Sequence, residues 1–116
     1  MNYISTRNSK KTSNFKEVFL NALSPEGGLY IPKNIPSFSL KELSNLEKLS
    51  YKDLASKIIF KFCSDIFSEE DVKEIVNKSY KNFREKDVVV LKKYESIYLL
   101  ELFHGPTLSF KDIAMQ

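Results

Sequence analysis

The sequence predicts an α+β chain, with a mostly helical module up to about residue 85 and then a β-hairpin that runs into a Gly-Pro turn and a lysine. Three observations predict it. Asn14, Ser39, Ser50 and Ser68 each precede a stretch of helical periodicity and carry Glu17, Glu42, Asp53 or Asp71 three positions on, the pattern of a polar cap with an acidic first turn. Apolar residues then recur three and four apart. From residue 88 the pattern changes to the β-branched and aromatic runs Val88-Val89-Val90-Leu91 and Ile97 to Phe103, which favour strands.

In order along the chain, Tyr3-Ile4-Ser5-Thr6 reads as a short strand and the polar, aperiodic Arg7 to Ser13 as a loop. Asn14 opens a helix with Phe15, Val18, Phe19 and Ala22 on one face, ending near Leu23. Ser24-Pro25-Glu26-Gly27-Gly28 is a turn, because proline fixes φ and the glycines permit positive φ. Leu29-Tyr30-Ile31 follows as a strand closed off by Pro32 and Pro36. Ser39 opens a short helix to about Leu46. Ser50 opens a longer one with Leu54, Ile58 and Phe62 on one stripe, widened by Ala55, Ile59 and Cys63. Ser68 starts a third, with Val72, Ile75, Val76 and Ser79 or Tyr80 facing inward. The short connection Ser64 to Phe67 predicts that the two long helices pack antiparallel. Lys92 to Ser96 is the polar connection between the last two strands.

Composition narrows the function classes. With 116 residues, 42% hydrophobic and 28% charged, the chain is long enough for one small domain with a core. A net charge of +3 is too small for a nucleic-acid footprint, and the six tyrosines and nine phenylalanines fall mostly at core-facing helical positions. Cys63 is the single cysteine, which excludes an internal disulfide and any multi-cysteine metal site. It sits on an apolar stripe and reads as a buried packing residue. No stretch approaches the roughly 20 apolar residues of a membrane span, and MNYISTRNSKK has no apolar signal core. The expectation is a cytoplasmic protein with neither a membrane nor a nucleic-acid partner.

The stretch that carries chemistry is Leu102-Phe103-His104-Gly105-Pro106-Thr107-Leu108-Ser109-Phe110-Lys111-Asp112. Gly105-Pro106 marks a turn, and Thr107 or Ser109 could cap a helix opening around Phe110. Lys111 then lies in the first helical turn, where a cation is disfavoured. A lysine held there suits covalent carbonyl chemistry, since only the uncharged amine attacks a carbonyl. By itself a lysine near a helix start is far more often a solvated surface residue. His104, the single histidine, reads as a loop residue bonded to backbone. Glu101 is either an outward-facing strand residue, the better reading, or a buried partner for a cation. Thr107 and Ser109 have a plain role as turn and cap residues, Asp112 as a complement to the helix start, and Phe110 as a packing residue.

The whole string shifts that balance. LELFHGPTLSFKD resembles the cofactor-lysine motif of threonine synthase, a fold-type II enzyme family dependent on pyridoxal phosphate (PLP). YISTR, the Phe-led helix and PEGGLYIP resemble the opening of family members with an extra N-terminal domain. Glu26 stands where the family commonly has Asp, and Asn8 where it often has Gly; Asn tolerates left-handed geometry. The resemblance implies that Lys111 holds PLP through its amine and that Phe110 and Asp112 flank the cofactor. It also implies that the Thr107 and Ser109 hydroxyls line the cofactor or substrate phosphate.

It further implies an N-terminal domain over 1–85, and over 86–116 the first hairpin of a fold-type II α/β domain. The parent reaction would convert O-phospho-L-homoserine and water to L-threonine and phosphate. The chain has three glycines in all and no glycine-rich phosphate turn. Family members are several times longer, and their phosphate-binding glycines lie past the matched region. Ile113 to Gln116 carries no helix stop signal, so the chain reads as cut in mid-helix, with the remainder of the catalytic chain as its partner. Two expectations follow: the N-terminal part of a PLP enzyme, inactive alone, or a stand-alone folding or interaction module without catalysis.

Overall fold

The computed structural model describes all 116 residues, Met1 to Gln116. Three short strands, β1 (Tyr3–Ser5), β2 (Asn8–Ser13) and β3 (Tyr30–Pro32), form an antiparallel sheet in the order β2-β1-β3. Helices α1 (Phe15–Asn21), α2 (Leu40–Leu46), α3 (Tyr51–Cys63) and α4 (Glu69–Ser79) make up the helical part. A two-stranded antiparallel ribbon, β4 (Val90–Tyr94) with β5 (Ile97–Glu101), leads to the single-turn helix α5 (Asp112–Met115).

The helix starts form as their local chemistry dictates. Asn14, Ser39 and Ser68 each accept from the backbone N–H three residues on, while Glu17, Glu42 and Asp71 reach back to the cap's own N–H. Ser50 caps α3 by accepting from Asp53 N. Each reciprocal cap satisfies donors a helix cannot satisfy internally. Asp65, in the α3–α4 connection, adds a tertiary contribution by accepting from Phe15 N at 2.9 Å.

The core is small and lies between α3 and α4. Val72, Val76 and Tyr80, spaced by four, meet Cys63 and Val88, with Phe15, Tyr51, Phe60 and Phe67 around them. Tyr3 anchors the three-stranded sheet to this core by donating its hydroxyl to the Phe62 carbonyl at 2.7 Å. Ser5, Ser24 and Gly28 lock β1 to the turn: the two hydroxyls lie 2.9 Å apart, and Gly28 N donates to Ser24 Oγ at 2.9 Å. A Cβ on Gly28 would collide with Ser5 Oγ, and Gly27 has φ of +78°, so the turn needs glycine at both positions. No helix is long and apolar enough to cross a membrane.

Several local expectations give way to tertiary structure. Asn8–Ser13 is a strand, not a loop: it pairs with β1 as an exposed edge whose Lys10 and Lys11 suit a solvated sheet margin. Its side chains bury nothing, so its sequence carries no alternation. On α1 Phe15 and Val18 are half-buried, but Phe19 and Ala22 are exposed. On α3 the deepest positions are Ser56 and Cys63, while Ile58 and Ile59 stay partly exposed; Ile59 and, on α4, Ile75 line an apolar groove beside Cys63, Val72 and Val76 that nothing in the chain fills. Lys92 to Tyr94 belongs to β4, and the hairpin turns at Glu95-Ser96 with Glu95 at φ +52°. Val88, expected to begin that strand, drops fully buried into the core at φ +63°, an unusual conformation for a β-branched residue.

Only 13 of 116 residues are buried, and the radius of gyration is 16.6 Å, against about 13 Å for a compact domain of this length. The molecule is therefore open, with much apolar surface outside its core. The ribbon shows this best. Leu91, Tyr98 and Leu100 share one face and Tyr94, Ile97 and Leu99 the other, all at least 49% exposed. Strands apolar on both faces are those of a covered sheet, and a lone two-stranded ribbon is marginal in water.

Candidate functional site

The candidate site is the loop between β5 and α5. It begins at Glu101, where the less favoured reading proves right: the residue is 7% exposed and inward-facing. Lys92 approaches its Oε1 at 2.7 Å, diagonally across the ribbon, and His104 Nε2 lies 2.8 Å from its Oε2. Lys92 first, then His104, holds the Glu101 carboxyl below its usual range, and Glu101 in turn pushes the Lys92 ammonium up. His104 is thus oriented by a side chain rather than by backbone. Its own carbonyl accepts from Arg84 N at 2.9 Å, which ties the loop to the segment after α4. No sequence signal paired Glu101 with His104 three residues on, because an (i, i+3) contact at a strand end has no periodicity to reveal it.

After His104 the backbone turns twice. Leu108 N donates to Gly105 O at 3.2 Å, with Leu108 at φ +61°, and Asp112 N donates to Ser109 O at 3.0 Å. Helix α5 opens at Asp112, later than the position near Phe110 expected from the sequence, and no side chain caps it. Lys111 occupies the cap position with helical φ and ψ of −63° and −26°. Its side chain is exposed and enters none of the chain's ion pairs. Ser109 Oγ accepts from Lys111 N at 3.3 Å. The Phe110 ring is 65% exposed, so it does not pack in this chain's core.

Asp112 points the opposite way from Lys111 and is 3% exposed. Its Oδ2 accepts from Thr107 N at 2.8 Å, and its Oδ1 accepts from Thr107 Oγ1 at 2.7 Å and Gln116 Nε2 at 3.0 Å. These donors, the Thr107 hydroxyl first, hold its carboxyl below the usual aspartate range. A Cβ on Gly105 would overlap the Asp112 side chain, so the glycine admits this buried carboxylate against the backbone. The residues singled out from the sequence are therefore brought together in one short loop. Lys111, Ser109 and Phe110 lie toward the outside, and Thr107 and Asp112 are bonded to each other.

Fold and loop together define a mixed helix-and-strand chain that presents one lysine on a closed double turn. Residues 2–80 match the family model described as threonine synthase N terminus. A threonine synthase from Pseudomonas aeruginosa is 40% identical over 117 residues, covering 100% of this chain and 25% of that protein. The one from Saccharomyces cerevisiae is 39% identical, covering 98% and 24%. Among solved structures, PLP-bound threonine synthase from Brucella melitensis superposes with a TM-score of 0.93 at 35% identity, covering 99% of this chain and 25% of that one. The chain belongs to the threonine synthase family and corresponds to the N-terminal part of its members. It spans about a quarter of the length of the relatives it matches.

Proposed function

We propose that this chain is the N-terminal part of a PLP-dependent threonine synthase in which Lys111 is the cofactor lysine. The enzyme would convert O-phospho-L-homoserine and water to L-threonine and phosphate. The observation that carries the reading is Lys111 itself: an exposed amine, free of ion pairs, on a turn fixed from below by a buried carboxylate. That arrangement fits an amine that must hold PLP covalently. PLP, when bound, supplies an electron sink for negative charge developing at substrate carbons. Lys111 Nζ would hold the cofactor, yield it to the substrate amine, and then take and return protons at those carbons. The exposed Phe110 ring offers a wall beside the cofactor, and the Ser109 hydroxyl a donor toward a phosphate.

The chain supplies the lysine but no glycine-rich phosphate turn, so the site is completed by the remainder of the catalytic chain. The two-sided apolar ribbon supports the same reading. Its faces suit strands of a larger covered sheet, consistent with residues 86–116 opening a fold-type II α/β domain after an N-terminal domain over 1–85. The 116 residues alone would bind PLP weakly and release no phosphate, and the cytoplasm suits such an enzyme. The test uses the enzyme with its catalytic chain complete: Lys111→Ala should remove the covalently held cofactor and lower turnover by orders of magnitude. Turnover near the parent rate would assign the chemistry to another lysine. Phosphate release by the 116 residues alone would show that the site is not divided.

A further inference from the structure

The resemblance places Asp112 beside the cofactor, but its surroundings in the structure point to a different task. A carboxylate that touched a ligand would face it, yet Asp112 is 3% exposed and about three of its four acceptor sites are engaged within the chain. Oδ2 receives Thr107 N–H, and Oδ1 receives the Thr107 hydroxyl and the Gln116 amide. None of these donors is a first-turn amide of α5, so the residue is not serving as an ordinary helix cap. The two bonds from Thr107 instead close a ring around Leu108 to Lys111, and the Gln116 bond ties that ring to the end of α5. Burial of the carboxylate at 3% exposure leaves it one low-energy place to be.

We propose that Asp112 is a positioning residue for Lys111: gripped by Thr107, it fixes the direction in which the adjacent lysine leaves the backbone. The two side chains diverge from consecutive residues, one inward and one outward, so immobilising the inner one sets the backbone of the outer. Gly105 is part of the same device, since any side chain there would displace the carboxylate. This inference rests on the reading of Lys111 as the cofactor lysine and adds how that lysine is held.

The first measurement needs no cofactor. Hydrogen–deuterium exchange over residues 105–112 of the complete enzyme, freed of PLP, should quicken about tenfold or more in Asp112→Asn and Thr107→Val, as expected for losing a charge-assisted hydrogen bond. Thr107→Ser, which keeps the hydroxyl, should exchange like the parent, and helices α3 and α4 should be unaffected in all three. The second measurement uses the complete PLP-loaded enzyme. Thr107→Val should lower kcat with KM for O-phospho-L-homoserine near the parent value, and Thr107→Ser should restore kcat. Unchanged exchange overturns the proposal. So does faster exchange with parent-like kcat, which would make the bond structural only, or a KM effect with kcat intact, which would make Thr107 a substrate contact. Full activity of Lys111→Ala is a separate failure: it removes the cofactor reading, and the exchange data then still report what Asp112 holds.

Discussion

The Tyr80 hydroxyl donates to the Ile113 carbonyl at 2.7 Å, joining residues 33 apart in sequence. Tyr80 closes α4, and its ring meets Tyr51 edge-on at 5.4 Å and Phe83 at 5.1 Å. One residue thus belongs to the core of the helical part and also receives the helix that follows Lys111. The lysine-bearing segment is docked, not merely tethered.

Tyr80→Phe keeps the ring packing and leaves the Ile113 carbonyl without its partner. The expected cost is about 1 kcal/mol, read as a lower urea midpoint. Faster exchange should be concentrated at 113–115. A loss spread evenly over the chain would argue against a docking role.

Burial, and then Tyr51, pushes the Tyr80 phenol up to about 12, whereas an unperturbed tyrosine ionises at 10.0. A raised value means that its stabilising contribution is complete below pH 10.0 and is lost as pH climbs to about 12, because the unfolded chain ionises first. Urea midpoints measured below and above pH 10.0 should fall in the parent and fall less in Tyr80→Phe. Equal alkaline slopes would place the loss elsewhere.

At the acid end the sign reverses. Glu101 and Asp112 have depressed values, against ordinary values of 4.5 and 3.8. Their contribution is complete above those ordinary values and is lost as pH falls below them, since the unfolded chain takes up protons first. Glu101→Gln should destabilise the chain at neutral pH, where Lys92 loses its counter-charge and His104 its carboxylate partner, and should flatten the acid dependence. A parent-like acid profile in that variant would show that the cluster is not coupled to folding.

The core and the caps give two calibrated expectations. Val76→Ala, at a position 2% exposed in the core, should cost about 2 kcal/mol from two lost methyl groups and the space they leave. Ser68→Ala should cost about 1 kcal/mol by removing a reciprocal cap. Both are read as urea midpoints. Similar small effects from the two would mean that the core is looser than its burial indicates.

The sequence by itself determined what is local. Caps at Asn14, Ser39, Ser50 and Ser68 are legible because cap and first turn lie within four residues, and the hydrogen bonds close there whatever the rest of the chain does. The Ser24–Gly28 turn is legible for the same reason, as are the strand character of Ile97–Glu101 and the string around Lys111 that marks the family. Tertiary structure decided the rest. Asn8–Ser13 becomes a strand only because β1 supplies its partner, and Val88 leaves the ribbon because Cys63, Val76 and Tyr80 offer it a dry site. Glu101 turns inward because Lys92 arrives across the ribbon with the compensating charge. Asp112 turns inward because a double turn brings Thr107 back to both of its oxygens. A charged residue reads as exposed until its partners are known, and those partners are set by the path of the backbone, which no local pattern encodes.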